Sequence, residues 1–116
     1  MSNPPNPPII DLGDKVAIIT GSSRGIGRSI AESMARAGAR VVISSRKREP
    51  CEAVAAGIRD RGGAAIAVPC NISEKPQIDG LVDATLAEWG RVDILVCNAA
   101  SNPYFGPLVG LPDELF

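Results

Sequence analysis

Thr20-Gly21-Ser22-Ser23-Arg24-Gly25-Ile26-Gly27 is the stretch on which the reading of this chain turns. It follows the apolar run Val16-Ala17-Ile18-Ile19 and leads into a helical pattern. A strand that breaks into glycines and then into a helix makes a cradle for phosphate. Glycine permits the tight turn and lets the backbone approach a ligand with no Cβ in the way. The helix that follows aims unpaired N–H groups and the positive end of its dipole at the anion. The spacing is Gly-x3-Gly-x-Gly, not the Gly-x-Gly-x2-Gly of the best-known dinucleotide fingerprint. Its weight comes from its place at a strand-to-helix junction. Gly21, Gly25, Ile26 and Gly27 are the backbone of this candidate site. Ser22, Ser23 and Arg28 offer groups that bond phosphate or cap the helix, with Ser23 the preferred one.

Outward from this loop the hydrophobic period switches back and forth. Lys15 to Thr20 reads as a strand. Gly25 to Gly38 reads as a helix with Ile26, Ile30, Met34 and Ala37 on one face and Gly38 as its stop. Arg40 to Ser45 is a second strand, apolar enough at Val41-Val42-Ile43 to be buried on both sides. Pro50 suits the first turn of the next helix, whose stripe is Cys51, Val54, Ala55 and Ile58 and which stops at Gly62-Gly63. Ala64 to Pro69 makes a weaker third strand. Ser73 is the expected N-cap of a helix marked by Ile78, Leu81, Val82, Thr85 and Trp89 and closing at Gly90. Val92 to Cys97 is a fourth strand. Ser101 to Pro112, with three prolines and two glycines, reads as loop. Alternating strands and helices at this spacing imply parallel strands joined by right-handed crossovers.

The expected fold class is therefore α/β: a Rossmann-type parallel sheet with helices on both faces, incomplete at about four strands. The order 3-2-1-4 belongs to the Rossmann pattern and is not dictated by these residues. At 116 residues the chain holds one domain at most. Residues 12–116 form a partial dinucleotide-binding domain, and 1–11 a disordered leader. Met1 to Pro8 carries four prolines and no apolar core that would mark a signal peptide.

Composition removes several function classes. A net charge of −1 gives no electrostatic case for nucleic acid or an anionic membrane. Aromatics at 3% leave no stacking platform for single strands. No apolar run approaches the roughly 20 residues that cross a bilayer. Cys51, Cys70 and Cys97 are widely spaced, and histidine is absent. No metal site is expected, and acid–base chemistry through histidine has no residue to run on. Three reduced, buried thiols fit a cytoplasmic protein.

Cofactor choice is written at the end of the second strand. Folds that take NAD place Asp or Glu about 20 residues past the glycines, to hold the ribose 2′-hydroxyl. Here that place holds no carboxylate. Ser45, Arg46, Lys47 and Arg48 stand there instead, a hydroxyl and three cations. They suit a 2′-phosphate through charge-assisted bonds, and Arg24 in the glycine loop adds a fourth cation. NADP(H) is the expected cofactor, with NAD the weaker alternative; a merely solvated basic turn is the plain reading.

Thr20 to Gly27 resembles the cofactor loop of the short-chain dehydrogenase/reductase family, and the likeness runs from about Leu12 to Pro107. Asp93-Ile94-Leu95-Val96-Cys97-Asn98-Ala99-Ala100 resembles the family's second signature, usually Asn-Asn-Ala-Gly, with Cys97 and Ala100 departing from it. Arg46-Lys47 and Asn98 to Pro103 are similar to the carbonyl- and retinal-reductase branch. The resemblance places Asn98 and Ala99 at the nicotinamide ribose. It places Asn71 and Ile72, after the third strand, against the adenine. Asn71 can accept from an exocyclic amine there, or cap the loop before Ser73; the residues leave both open.

The family's activity moves hydride between a nicotinamide and a carbonyl or alcohol. It uses a Ser and a Tyr-x3-Lys pair downstream of the second signature. The pair is not found in these 116 residues: Tyr104 is the only tyrosine, Leu108 stands four residues on, and the last lysine is Lys75. Ser101 and Tyr104, right beside the signature in a loop with no nearby cation, are not taken as catalysts. No catalytic residue is assigned, and the chain is expected to be inactive alone. A small carbonyl or alcohol substrate, and the homo-oligomer usual in the family, are implied only for a full-length enzyme. A stand-alone nucleotide-binding module and an inert truncated product are the other readings.

Overall fold

The computed structural model describes residues 11–98 and the backbone of residues 103–106. Most of the expected leader, and Ala99, lie outside the described residues. The elements run β1 (Val16–Thr20), α1 (Gly25–Arg36), β2 (Arg40–Ser44), α2 (Arg48–Asp60), β3 (Ala64–Ala67), α3 (Lys75–Trp89), β4 (Ile94–Asn98) and β5 (Pro103–Gly106). The sheet order is β3-β2-β1-β4-β5. The first four strands are parallel, as the alternation with helices requires.

Strand side chains alternate between two cores. Ala17, Ile19, Val41, Ile43, Ala65 and Val96 meet α1 and α2 through Ala31, Cys51, Val54, Ala55 and Ile58. Ile18, Val42, Leu95 and Cys97 face the other way, toward Ile78, Leu81, Val82 and Trp89 of α3. All five residues of β1 are buried, the mark of a strand covered on both faces. The stripe expected on α2 is the stripe that is buried. Gly90 closes α3 in the left-handed conformation at φ 76°, as its place in the sequence implied.

Three local expectations are corrected. Ile26 does not face the sheet: it is 65% exposed, and the buried residues of α1 are Gly27 and Ala31, with Ile30 and Met34 only partly covered. Close approach of α1 to the strands needs small residues, and a reading by hydrophobicity ranks them below isoleucine. Helix α1 itself runs to Arg36 with Ala37 as its C-cap, and Gly38 at φ 104° stops it, as its place in the sequence implied. Ser73 is not the cap of α3; Glu74 is, with no capping side-chain bond. Finally, Ser101–Pro112 is not all loop, because residues 103–106 pair antiparallel with β4, Val96 opposite Phe105 and Cys97 opposite Tyr104. Proline is tolerated at the first position of an edge strand, and two aromatic residues follow it. Strand β4 is therefore not the sheet's edge.

At the amino ends of the strands, β1 and β4 are tied by a carboxylate. Asp93 Oδ2 accepts from the Val16 N–H at 2.8 Å, and the Asp93 N–H donates to Val16 O at 2.8 Å. Arg91 grips the same carboxylate from solvent at 2.7 and 2.8 Å.

Candidate functional site

The carboxyl ends of the four parallel strands converge on one rim. Strand β1 lies between β2 and β4, and the crossovers on its two sides take opposite faces: α1, from β1 to β2, on one, and α3, from β3 to β4, on the other. That is the switch point where open α/β sheets bind ligands.

The glycine loop bends over this rim. Gly21 has φ 63°, and a Cβ there would lie 2.6 Å from Asn98 O. A Cβ on Gly27 would lie 2.1 Å from Gly21 O and 2.6 Å from Asn98 Nδ2. These two positions accept no side chain because the loop, the start of α1 and the end of β4 touch there. Gly25 differs: a Cβ on it would meet nothing within 4 Å, so it faces open space. Helix α1 begins after Arg24, whose backbone is extended, with no capping side chain and no acidic residue in its first turn. Its first N–H groups are left for an anion, which is what a pyrophosphate requires.

Three hydrogen-bonded seams hold the rim together. Asn98 donates its N–H to Thr20 Oγ1 at 3.0 Å and its side-chain amide to Gly21 O at 3.2 Å, while Thr20 Oγ1 donates to Val96 O at 3.3 Å. Ser22 joins the loop to β2: its N–H donates to Ser44 O at 3.0 Å, and its Oγ accepts from the Ser44 N–H at 2.9 Å. The Cys70 N–H donates to Ser45 O at 2.8 Å, bringing the end of the third strand beside that of the second. Thr20 and Ser22 are both buried; Thr20 was not singled out by sequence reading, and Ser22, offered there as a phosphate or capping group, instead bonds β1 to β2. The signal available was a hydroxyl at and just beyond the last position of a strand, where the ladder needs a substitute partner.

The predicted residues that the structure describes lie around these seams; Ala99 is outside the described residues. Gly21, Ser23, Arg24, Gly25, Ile26 and Gly27 form the loop over β1. Ser23 is half-buried and is not the helix cap. Arg28 pairs with Glu32 at 3.1 Å, which turns it along its own helix. Ser45, Arg46 and Lys47 make the corner from β2 into α2; Ser45 Oγ lies 3.0 Å from Cys51 Sγ. Arg24, Arg46 and Lys47 are exposed, and among the described residues none of them forms an ion pair. Arg48 reaches Glu52 at 3.8 Å, both side chains half or more exposed.

Asn71 and Ile72 lie next to the Ser45 corner. Asn71 Oδ1 accepts from the Ser73 N–H at 3.0 Å and the Ser73 hydroxyl at 2.7 Å, the local turn that was one of its two readings. Its side-chain amide donates to Glu74. Ile72 is half-buried against the core that holds Cys70 and Leu81. Burial pushes the thiols of Cys70 and Cys97 up from their ordinary value, so neither is a ready nucleophile. Among the described residues no cluster of His, Cys, Asp or Glu could hold a metal, and no helix is long and apolar enough to cross a membrane.

The sequence pattern of the short chain dehydrogenase family matches residues 15–113. The chain belongs to this family. It is 40% identical over 105 residues to the dehydrogenase/reductase SDR family member 4 of Oryctolagus cuniculus, covering 90% of this chain and 40% of that protein. It is 37% identical to the mitochondrial dehydrogenase/reductase SDR family member 2 of Homo sapiens, covering 90% of this chain and 38% of the relative. The crystal structure of a hydroxysteroid dehydrogenase from Escherichia coli superposes with a TM-score of 0.77 at 40% identity, over 79% of this chain and 39% of the other. The chain thus spans about two fifths of the length of these relatives. A short-chain dehydrogenase uses a nicotinamide nucleotide, and the open cradle at Gly25 with the uncapped start of α1 fits one.

Proposed function

We propose that this chain is the NADP(H)-binding part of a short-chain oxidoreductase. When bound, the nicotinamide supplies or takes up the hydride exchanged with a carbonyl or alcohol carbon. The chain's own residues do the binding and orienting. The first N–H groups of α1, with Gly25 leaving room, hold the pyrophosphate. Ser45, Arg46 and Lys47 hold the 2′-phosphate, with Arg24 on the loop as a further cation. Ile72 would hold the adenine face and Asn71 its edge. Asn98, with Ala99 after it in the sequence, would bound the nicotinamide ribose. The observation that carries this reading is the corner after β2: three successive cations, no carboxylate, and Arg46 and Lys47 exposed beside an open phosphate cradle.

Proton transfer in the reaction needs a positioned acid, and no residue of this chain is assigned to that step. Ser and Tyr-x3-Lys are supplied beyond the matched signatures in a full-length enzyme, as are the substrate pocket and the oligomer surfaces. Three buried, unpaired cysteines favour a reducing compartment, the cytoplasm. Binding of NADPH and NADH to the purified chain, followed by nicotinamide fluorescence, tests the cofactor reading. A clear preference for NADPH is expected, and equal affinities overturn it.

A further inference from the structure

We propose that Ser22 is a positioning residue for 2′-phosphate recognition, a strut that sets the distance between the phosphate loop and the cationic corner. The proposal rests on the NADP(H) reading of that corner. Ser22 is 0% exposed, so it touches no cofactor and must act through its neighbours.

Those neighbours define the strut. Register between β1 and β2 ends with Thr20 opposite Ser44, and the chain then bends away at Gly21. Ser22 carries the pairing past that bend. Its Oγ donates to Ile19 O at 2.6 Å and accepts from the Ser44 N–H at 2.9 Å, while its own N–H donates to Ser44 O at 3.0 Å. One hydroxyl thus bonds the last turn of β1 to the last residue of β2. Directly after Ser44 come Ser45, Arg46 and Lys47. Ser45 Oγ touches Cys51 Sγ at 3.0 Å, which holds the far side of the corner to α2. The corner is held on its loop side by Ser22.

A dinucleotide spans both places, its pyrophosphate on the loop and its 2′ group at the corner. The ligand's length between these groups is fixed within narrow limits, so the spacing of loop and corner decides how well the cations are reached. Charge-assisted hydrogen bonds weaken steeply with distance and angle. NADP(H) draws more of its binding from the corner than NAD(H) does, and a displaced corner therefore costs NADP(H) more. Without Oγ the Ser44 N–H loses its 2.9 Å bond to Ser22, which loosens the backbone where the corner begins.

The test is a double-mutant cycle on the chain, reading the ratio of NADPH to NADH affinity by fluorescence titration. Ser22→Ala is expected to lower that ratio by about threefold to tenfold, toward the lower end of the coupling found between residues in one network. Arg46→Ala lowers it further, and adding Ser22→Ala to Arg46→Ala then changes it by less than about twofold. A purely structural role would weaken both cofactors alike and leave the ratio where it was; that result overturns the proposal. So does an undiminished Ser22→Ala effect in the Arg46→Ala background. If Ser22→Ala does not fold, Ser22→Cys keeps the shape with a weaker acceptor, and its ratio should fall between threefold below wild type and wild type; a folded Cys variant with the wild-type ratio overturns the strut. A wild-type ratio near one removes the cofactor reading itself, whereas a high wild-type ratio that ignores Ser22 removes only the strut.

Discussion

Replacing Gly27 by alanine should damage both stability and binding, whereas Gly25→Ala should damage mainly binding. At Gly27 the added Cβ meets Gly21 O at 2.1 Å and Gly21 C at 2.8 Å, both backbone atoms, besides Asn98 Nδ2 at 2.6 Å. Ordinary contact lies near 3.5 Å, so α1 and the loop must separate by about 1 Å or more. No flexible side chain can take up that movement except Asn98, which would lose its bond to Gly21 O. Forced insertion into a packed site costs about 1–3 kcal/mol, and contact with backbone puts Gly27 at the upper end. In a domain of this size about 1 kcal/mol corresponds to 4–8 °C, so the midpoint of thermal unfolding should fall by more than about 10 °C. At Gly25 nothing lies within 4 Å and only φ 62° opposes a side chain. That conformation costs roughly 1–2 kcal/mol for alanine. Its Cβ would stand in the space assigned to the pyrophosphate, so NADPH binding should fall at least tenfold. Circular dichroism melts and NADPH titrations of both variants check the pair. Equal melting temperatures for the two, or full NADPH affinity in Gly25→Ala, would refute the account of the loop.

Arg46→Asp removes a cation and places an anion at the corner; at about 1.5–3 kcal/mol for each charge-assisted bond the preference for NADPH over NADH should reverse by more than tenfold, read by parallel titrations. Pure chain with NADPH and a panel of carbonyls should oxidise no cofactor above a buffer control, and any sustained turnover would contradict the absence of an assigned proton donor. The hydrogen bonds from Arg91, and then from the Val16 N–H, hold the Asp93 carboxyl below the usual carboxylate range. Its folded value is thus depressed: the contribution is complete above the unfolded value of about 3.9 and disappears as pH falls through the lower folded one. Asp93→Asn should be less stable than wild type at pH 7, and the gap should narrow as the pH falls below the ordinary carboxylate value and through the lower folded one; a gap independent of pH would show that the charge is not involved. Native chain at pH 8 should react slowly with a thiol reagent, because Cys51, Cys70 and Cys97 are buried and the thiols of Cys70 and Cys97 are pushed up by burial. Denaturant should release all three, and fast native labelling of Cys97 would place it outside the core.

The parts of the fold that were legible are those where one property dominates. Val16–Ile19 and Val41–Ile43 are apolar on both faces, and only a doubly covered strand uses such runs. The α2 stripe repeats at helical spacing without interruption. Where two properties compete, reading fails. In α1 the face of close approach is made of Gly27 and Ala31, and the larger Ile26 beside them is turned to solvent. In β5 the prolines and glycines outweigh Tyr104 and Phe105 when residues are weighed by turn chemistry, yet the partner strand β4 recruits them. The candidate site divides the same way. Glycine spacing and the basic corner are local and could be seen. The bonds of Thr20 to Val96 and of Ser22 to Ser44 cross between segments, and no local pattern announces them.

The seam between Thr20, Gly21 and Asn98 also imposes an order in time. Its partners are 76 to 78 residues apart in sequence. The loop that opens this chain therefore obtains its last latch only after the fourth strand has been made and docked. At roughly 5–20 residues per second of synthesis that is a wait of about 4–15 seconds. During it β1 and β2 can pair and α1 and α2 can cover one side, since those contacts are nearer in sequence and cost less closure entropy. The cradle itself stays unlatched until Asn98 arrives. Nucleotide capture by a nascent chain would then report arrival of β4, and ribosome-arrested chains ending a few residues either side of its emergence should switch from no capture to capture over a single strand's length.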